Sequence, residues 1–145
     1  MWNRTIAILA SLVLGVVGAL VVGAPAQAAP TCYGDYCSGT DPEATRCSAD
    51  AYTVAHRNWA GWGVTLELRW SPSCKTNWAR VDTNPVWSGP PTPTLKAVQC
   101  VTGYTQAGVV ANNGTYWWTR QIYSPTLTVR ADWVGPPGTT STACA

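Results

Sequence analysis

From Val64 to Trp70 apolar and polar positions alternate, Val64, Leu66, Leu68 and Trp70 against Thr65, Glu67 and Arg69. Successive side chains on a strand point to opposite faces, so the pattern predicts a strand with one apolar and one wet face. Ser71-Pro72-Ser73 stops it, because proline fixes its own φ and has no N–H to donate. Asn77 to Asp82 predicts the return strand of a hairpin, with Trp78 on the face of Arg80 and Asp82. Glu67, Arg69, Arg80 and Asp82 are placed to pair across the wet face. Such a face is ordinarily just solvated, its ion pairs contributing roughly a few tenths of a kcal/mol each.

The same reading predicts a first strand over Ala51 to Ala55 and a glycine-bearing loop from His56 to Gly63 that carries Trp59 and Trp62. Asn84 to Thr94 is a stiff proline-rich loop around Trp87 that cannot sit in a central strand. Leu95 to Val101 is the next strand. Thr102 to Asn112 is a loop, or a weak strand ending in a turn at Asn113-Gly114, the strongest short hairpin signal. Thr115 to Tyr123 is a strand with aromatics on both faces, and Ser124-Pro125 turns the chain. Thr126 to Trp133 alternates again, with Leu127, Val129, Ala131 and Trp133 on one side; Gly135-Pro136-Pro137-Gly138 ends it. About six strands without a clear helix predict an all-β fold, a small antiparallel barrel or sandwich. Trp70, Trp78, Trp118 and Trp133 are expected in its core.

Residues before this domain read as an address. Arg4 supplies a positive start, Ile6 to Val22 is apolar, and Ala26-Gln27-Ala28 is a small-x-small cleavage pattern. Residues 1–28 are therefore expected to be a signal peptide that is removed, and 29–145 a single domain. Retention as a membrane anchor is the competing reading, since the apolar run approaches spanning length. Removing 28 of the 145 residues leaves 117, with eight Lys and Arg against seven Asp and Glu once Arg4 is gone. That balance is no nucleic-acid footprint, and after cleavage no membrane-seeking basic helix remains.

Export changes the meaning of the six cysteines, Cys32, Cys37, Cys47, Cys74, Cys100 and Cys144. An even count in an exported chain implies a disulfide framework, here with 15 possible connectivities. Three cysteines precede Ala51 and three follow it, so full pairing requires at least one bridge from the N-terminal lead to the body. Cys100 with Cys144 is the pairing we expect at the C-terminus. No Cys-x-x-Cys occurs and His56 is the only histidine, so no metal and no cofactor is expected. Asp35, Asp41, Glu43 and Asp50 lack the regular spacing of a calcium loop, and Asp41-Pro42 reads instead as the cap of a short turn.

The string Leu66-Glu67-Leu68-Arg69-Trp70-Ser71-Pro72-Ser73-Cys74-Lys75-Thr76-Asn77-Trp78-Ala79-Arg80-Val81 resembles a family of small secreted proteins of Gram-positive bacteria, catalogued as domain of unknown function 2690. Cys32-Tyr33-Gly34-Asp35-Tyr36-Cys37 to Glu43, with Cys47 to Ala51, looks like the start of the same domain. The resemblance covers about Cys32 to Arg80. It implies an exported or surface β-rich domain, and it supplies no catalytic residue to carry over.

Catalysis finds little support in the residues. A Ser-His-Asp arrangement must use His56, no Gly-x-Ser-x-Gly elbow is present, and no carboxylate pair stands out. A binding domain fits better, since tryptophan and tyrosine give large contact area at low entropy cost. The expected function is non-catalytic binding at the cell envelope or outside the cell, with a cell-wall polysaccharide as one candidate ligand. Candidate binding residues are Trp59, Trp62, Trp87 and Trp117, with the pair Tyr33 and Tyr36; for each the alternative is core packing. The other readings are a secreted inhibitor or interaction factor presenting loop 84–94 to a secreted or surface protein, and, less favoured, a small hydrolase.

Overall fold

The computed structural model describes residues 28–59, 61, 63–83, 94–135 and 138–145. They form ten strands and two 3-10 turns, Gly34–Cys37 and Cys47–Asp50. The strands are β1 (Tyr52–Trp59), β2 (Val64–Ser71), β3 (Thr76–Thr83), β4 (Thr94–Gln99), β5 (Thr105–Ala107), β6 (Ala111–Asn112), β7 (Tyr116–Trp118), β8 (Ile122–Tyr123), β9 (Val129–Val134) and β10 (Thr140–Ser141). One antiparallel sheet runs β1-β2-β3-β7-β6, with β8 also on β3; the other runs β10-β9-β4-β5. Two separate sheets make this a sandwich and not a closed barrel.

The alternating hairpin is its centre. Leu66 pairs with Val81 and Leu68 with Ala79, so the apolar positions of β2 and β3 share one face. They pack with Val64 and Ile122 against Leu95, Ala97, Val129, Ala131 and Trp133 of the second sheet. Pro72 lies in the four-residue turn, which the Lys75 N–H closes onto the Ser71 carbonyl at 2.8 Å. On the other face Arg80 pairs with Glu67 and lies over the Tyr116 ring, 4.3 Å from its centroid. Arg69 turns away from the ion pair, donating to Thr53 Oγ1 and the Ala51 carbonyl.

Three expected boundaries moved, each for a reason outside local sequence. His56 to Trp59 continue β1, because they pair with Glu67 to Val64 across the hairpin, so the expected loop shrinks. The expected strand 115–123 is split. Gln121 leaves the ladder and exchanges backbone hydrogen bonds with Gly39 and Thr40 of the N-terminal lead. Leu127 falls outside β9, because the Ser124 hydroxyl donates to the Leu127 carbonyl and holds 124–127 as a bend. The strand count exceeds six because β5, β6 and β10, of two or three residues, are too short to show a period. Asn113-Gly114 does turn the chain between β6 and β7, with the Asn113 carboxamide accepting the Thr115 and Tyr116 N–H groups.

Disulfides join Cys32 to Cys37, Cys47 to Cys74 and Cys100 to Cys144. The last is the expected C-terminal pairing, and Cys47–Cys74 is the tie from lead to body. Three acidic residues of the lead hold its own turns: Asp41 caps Glu43, Glu43 accepts the Ser48 hydroxyl and Asp35 that of Ser38. Asp41 also accepts the Trp118 indole N–H at 3.0 Å, so the lead buries a tryptophan on the outer face of the first sheet. Among the described residues no helix is long and apolar enough to cross a membrane.

Candidate functional site

Two hollows carry exposed aromatic surface. The first, about 320 Å³, is bounded by Tyr52 and Val54 of β1, Trp70 of β2, Asn77 of β3, the bend from Ser124 to Thr128, and Ala145. β1 is an edge strand, and Tyr52 pairs with Trp70 in register while Trp70 pairs with Asn77. These side chains therefore lie on one face of the sheet, beside the bend from Ser124 to Thr128. Tyr52 is 52% exposed and Leu127 37%. Trp70, expected in the core, is half-buried as a wall of this cleft. Among the described residues no histidine, carboxylate or thiol side chain lines it, so it offers apolar contact surface and the hydroxyls of exposed Thr126 and Thr128.

A second, polar groove of about 470 Å³ is lined by Asp35, Ser38, Gln99, Tyr104 and Tyr123. Asp35 stands between Tyr33 and Tyr36, which are 78% and 83% exposed and whose rings sit 6.4 Å apart at 55°. The groove is built by the docked lead. Ser38 Oγ accepts the Tyr123 N–H, and the Gln99 amide donates to the Tyr123 carbonyl, so turn, β4 and β8 meet there. Tyr123 lines this groove and the next residue, Ser124, lines the first cleft. The two hollows thus flank one short stretch of backbone.

Of the four tryptophans singled out by sequence, Trp59 and Trp117 are among the described residues, and both are half-buried. Trp59 is half-buried on the core-facing side, its ring 5.8 Å from that of Trp133. Trp117 is in register with buried Val81 and is also half-buried. Trp62, Trp87 and most of the proline-rich loop lie outside the described residues. Trp78, Trp118 and Trp133 are buried, as expected. Sequence reasoning passed over Tyr52 and Leu127. The available signal was the Ser124-Pro125 turn, which releases the residues just after it from the strand period.

Electrostatics are local. Burial holds the Arg69 guanidinium below its usual value, and the Arg80 charge beside it acts in the same direction. Asp50 ends the second 3-10 turn. Partial burial pushes its carboxyl up, but hydrogen bonds from the Ser71 hydroxyl at 2.7 Å and the Ser73 N–H at 2.9 Å prevail and lower it. His56 is exposed on β1, opposite Glu67.

Searches of curated proteins and of solved structures both return no match. The family model for "Protein of unknown function (DUF2690)" matches residues 35–132, which include the central hairpin, the second hollow and all of the first except Ala145. The chain belongs to that family.

Proposed function

We propose that this is an exported, non-catalytic recognition domain that acts at the cell envelope or outside the cell and takes a polysaccharide chain across the two hollows. The observation that carries the reading is their adjacency: consecutive residues Tyr123 and Ser124 line one each, with exposed tyrosine on both sides. An extended polymer with apolar ring faces and many hydroxyls matches that sequence of surfaces, stacking on Tyr52 and Tyr36 and hydrogen-bonding to the exposed Asp35, Thr126 and Thr128. The signal-like N-terminal segment and three disulfides support export.

The test is co-sedimentation of the oxidised domain with insoluble peptidoglycan, chitin and cellulose. Saturable, salt-resistant binding to one polymer is expected. Tyr52→Ala and Tyr36→Ala should each weaken it about tenfold, ~1.4 kcal/mol, the size of one aromatic contact. Trp59→Ala, at a ring packed against the core, should leave it unchanged in a domain that remains folded. Unimpaired binding by the Tyr52→Ala/Tyr36→Ala pair refutes the site. Absence of binding to all three polymers refutes the ligand class and turns the search to a secreted or surface protein.

A further inference from the structure

Four of the six sulfurs meet at one point. Cys32 and Cys37 flank the first 3-10 turn, Cys47 opens the second, and Cys74 sits in the β2–β3 turn. Their Sγ atoms all lie within 4.8 Å of one another. Cys32 Sγ is 3.5 Å from Cys47 Sγ, to which it is not bonded. A tetrahedral ion with Zn–S bonds of about 2.3 Å sets its sulfurs about 3.8 Å apart. The four side chains thus already gather in the volume that a tetrahedral tetrathiolate needs.

The surroundings suit thiolates. Cys37, Cys47 and Cys74 are buried. Thr45 Oγ1 lies 3.3 Å from Cys47 Sγ, Gln121 Nε2 3.7 Å from Cys32 Sγ and Ser73 Oγ 3.9 Å from Cys74 Sγ, with Thr45 and Gln121 donating to nearer oxygens in the oxidised form. Donors within reach of sulfur can stabilise its anionic form and orient it, as an outer shell does around a metal. Arg46 and Lys75 are the sequence neighbours of Cys47 and Cys74, cations next to a site that would carry two net negative charges.

We propose that the chain, when its cysteines are reduced, holds one thiophilic divalent ion of the zinc class on Cys32, Cys37, Cys47 and Cys74. The ion and the two disulfides are then alternative cross-links of the same four residues. Each disulfide takes two electrons from a reductant, in the experiment below a water-soluble phosphine, and two protons from the water molecule whose oxygen the phosphine keeps as its oxide. The four thiols give up four protons as four metal–sulfur bonds form. Both forms fasten the lead to the β2–β3 turn, the oxidised one through Cys47–Cys74 and the metallated one through the ion. Four soft ligands select zinc over calcium or magnesium.

The full chain is reduced with the phosphine without oxygen and titrated with Co²⁺, then with Zn²⁺. The expected result is one equivalent of Co²⁺ with the intense visible bands of a tetrahedral tetrathiolate, displaced by one equivalent of Zn²⁺. Cys100→Ser with Cys144→Ser should keep this spectrum and Cys74→Ser should lose it. In the wild-type chain, Zn²⁺ should protect the four ligand cysteines from alkylation while Cys100 and Cys144 react, as read by mass spectrometry. A pale octahedral Co²⁺ spectrum overturns the proposal, including the case of a reduced chain too unfolded to gather its thiols. So does equal alkylation of all six cysteines, or uptake of one equivalent by the oxidised chain.

Discussion

Replacing Cys100 and Cys144 together by alanine tests how this sandwich is held shut. The bridge closes a loop of sequence separation 44, joining the residue after β4 to the chain beyond β10. Cys144 is exposed and Cys100 only partly buried, so truncation opens no sizeable cavity. The cost is then the chain entropy the bridge removes from the unfolded state, ~4 kcal/mol by the loop-closure relation. The same relation gives ~2 kcal/mol for Cys32–Cys37, whose separation is 5. The native tail keeps its hydrogen bonds: Val129 and Ala145 exchange N–H and carbonyl, and the Thr142 N–H donates to Ala131. Guanidinium unfolding of the oxidised variant should therefore show a fall of ~4 kcal/mol with a steeper m, because the uncrosslinked unfolded chain exposes more surface. Its Tm should drop by about 10–20 °C. A fall below about 1 kcal/mol with unchanged m would refute the entropic account, the bulk of any real bridge effect being expected at this loop length. Loss of amide protection confined to residues 129–145 would instead show that the bridge stops local fraying.

Two further substitutions test the joint between lead and body. Gln121 is fully buried, its carbonyl oxygen taking the Thr76 hydroxyl and its amide donating to the Thr40 and Thr45 hydroxyls. Gln121→Ala removes three partners at once and should cost about 2–4 kcal/mol in chemical denaturation, whereas an effect within about 0.5 kcal/mol would mean that the network is not maintained in solution. Asp50 binds its proton less tightly in the folded chain than in the unfolded one. Its contribution to stability is thus fully present above the ordinary carboxylate pKa and is lost as pH falls through the lowered folded value. Asp50→Asn should destabilise the protein at neutral pH and flatten stability against pH on the acid side; an unchanged acid limb would place the titrating group elsewhere.

Much of the fold was legible because period and punctuation are local. The alternation of Val64 to Trp70, the stop at Ser71-Pro72 and the Asn113-Gly114 turn each express the intrinsic geometry of a few residues, and the structure keeps all three. Even cysteine parity carried through: three before Ala51 and three after force a bridge between lead and body, and Cys47–Cys74 supplies it. What remained hidden depends on partners distant in sequence. The alternation that put Leu127 with Val129 and Trp133 stops short because a serine hydroxyl at 124 competes for its carbonyl. Trp70 has the pattern of a core residue, and the bend from Ser124 to Thr128, distant in sequence, makes it one wall of a cleft. Cys32, Cys37, Cys47 and Cys74 show no metal-site spacing, because two 3-10 turns and one hairpin turn bring them together only after the lead docks. Sequence alone thus determined the class of the fold, its central hairpin and the existence of a covalent tie, all set by local backbone chemistry and counting. The tertiary structure alone decided which aromatics meet solvent and which sulfurs meet each other, since both depend on how separate segments pack.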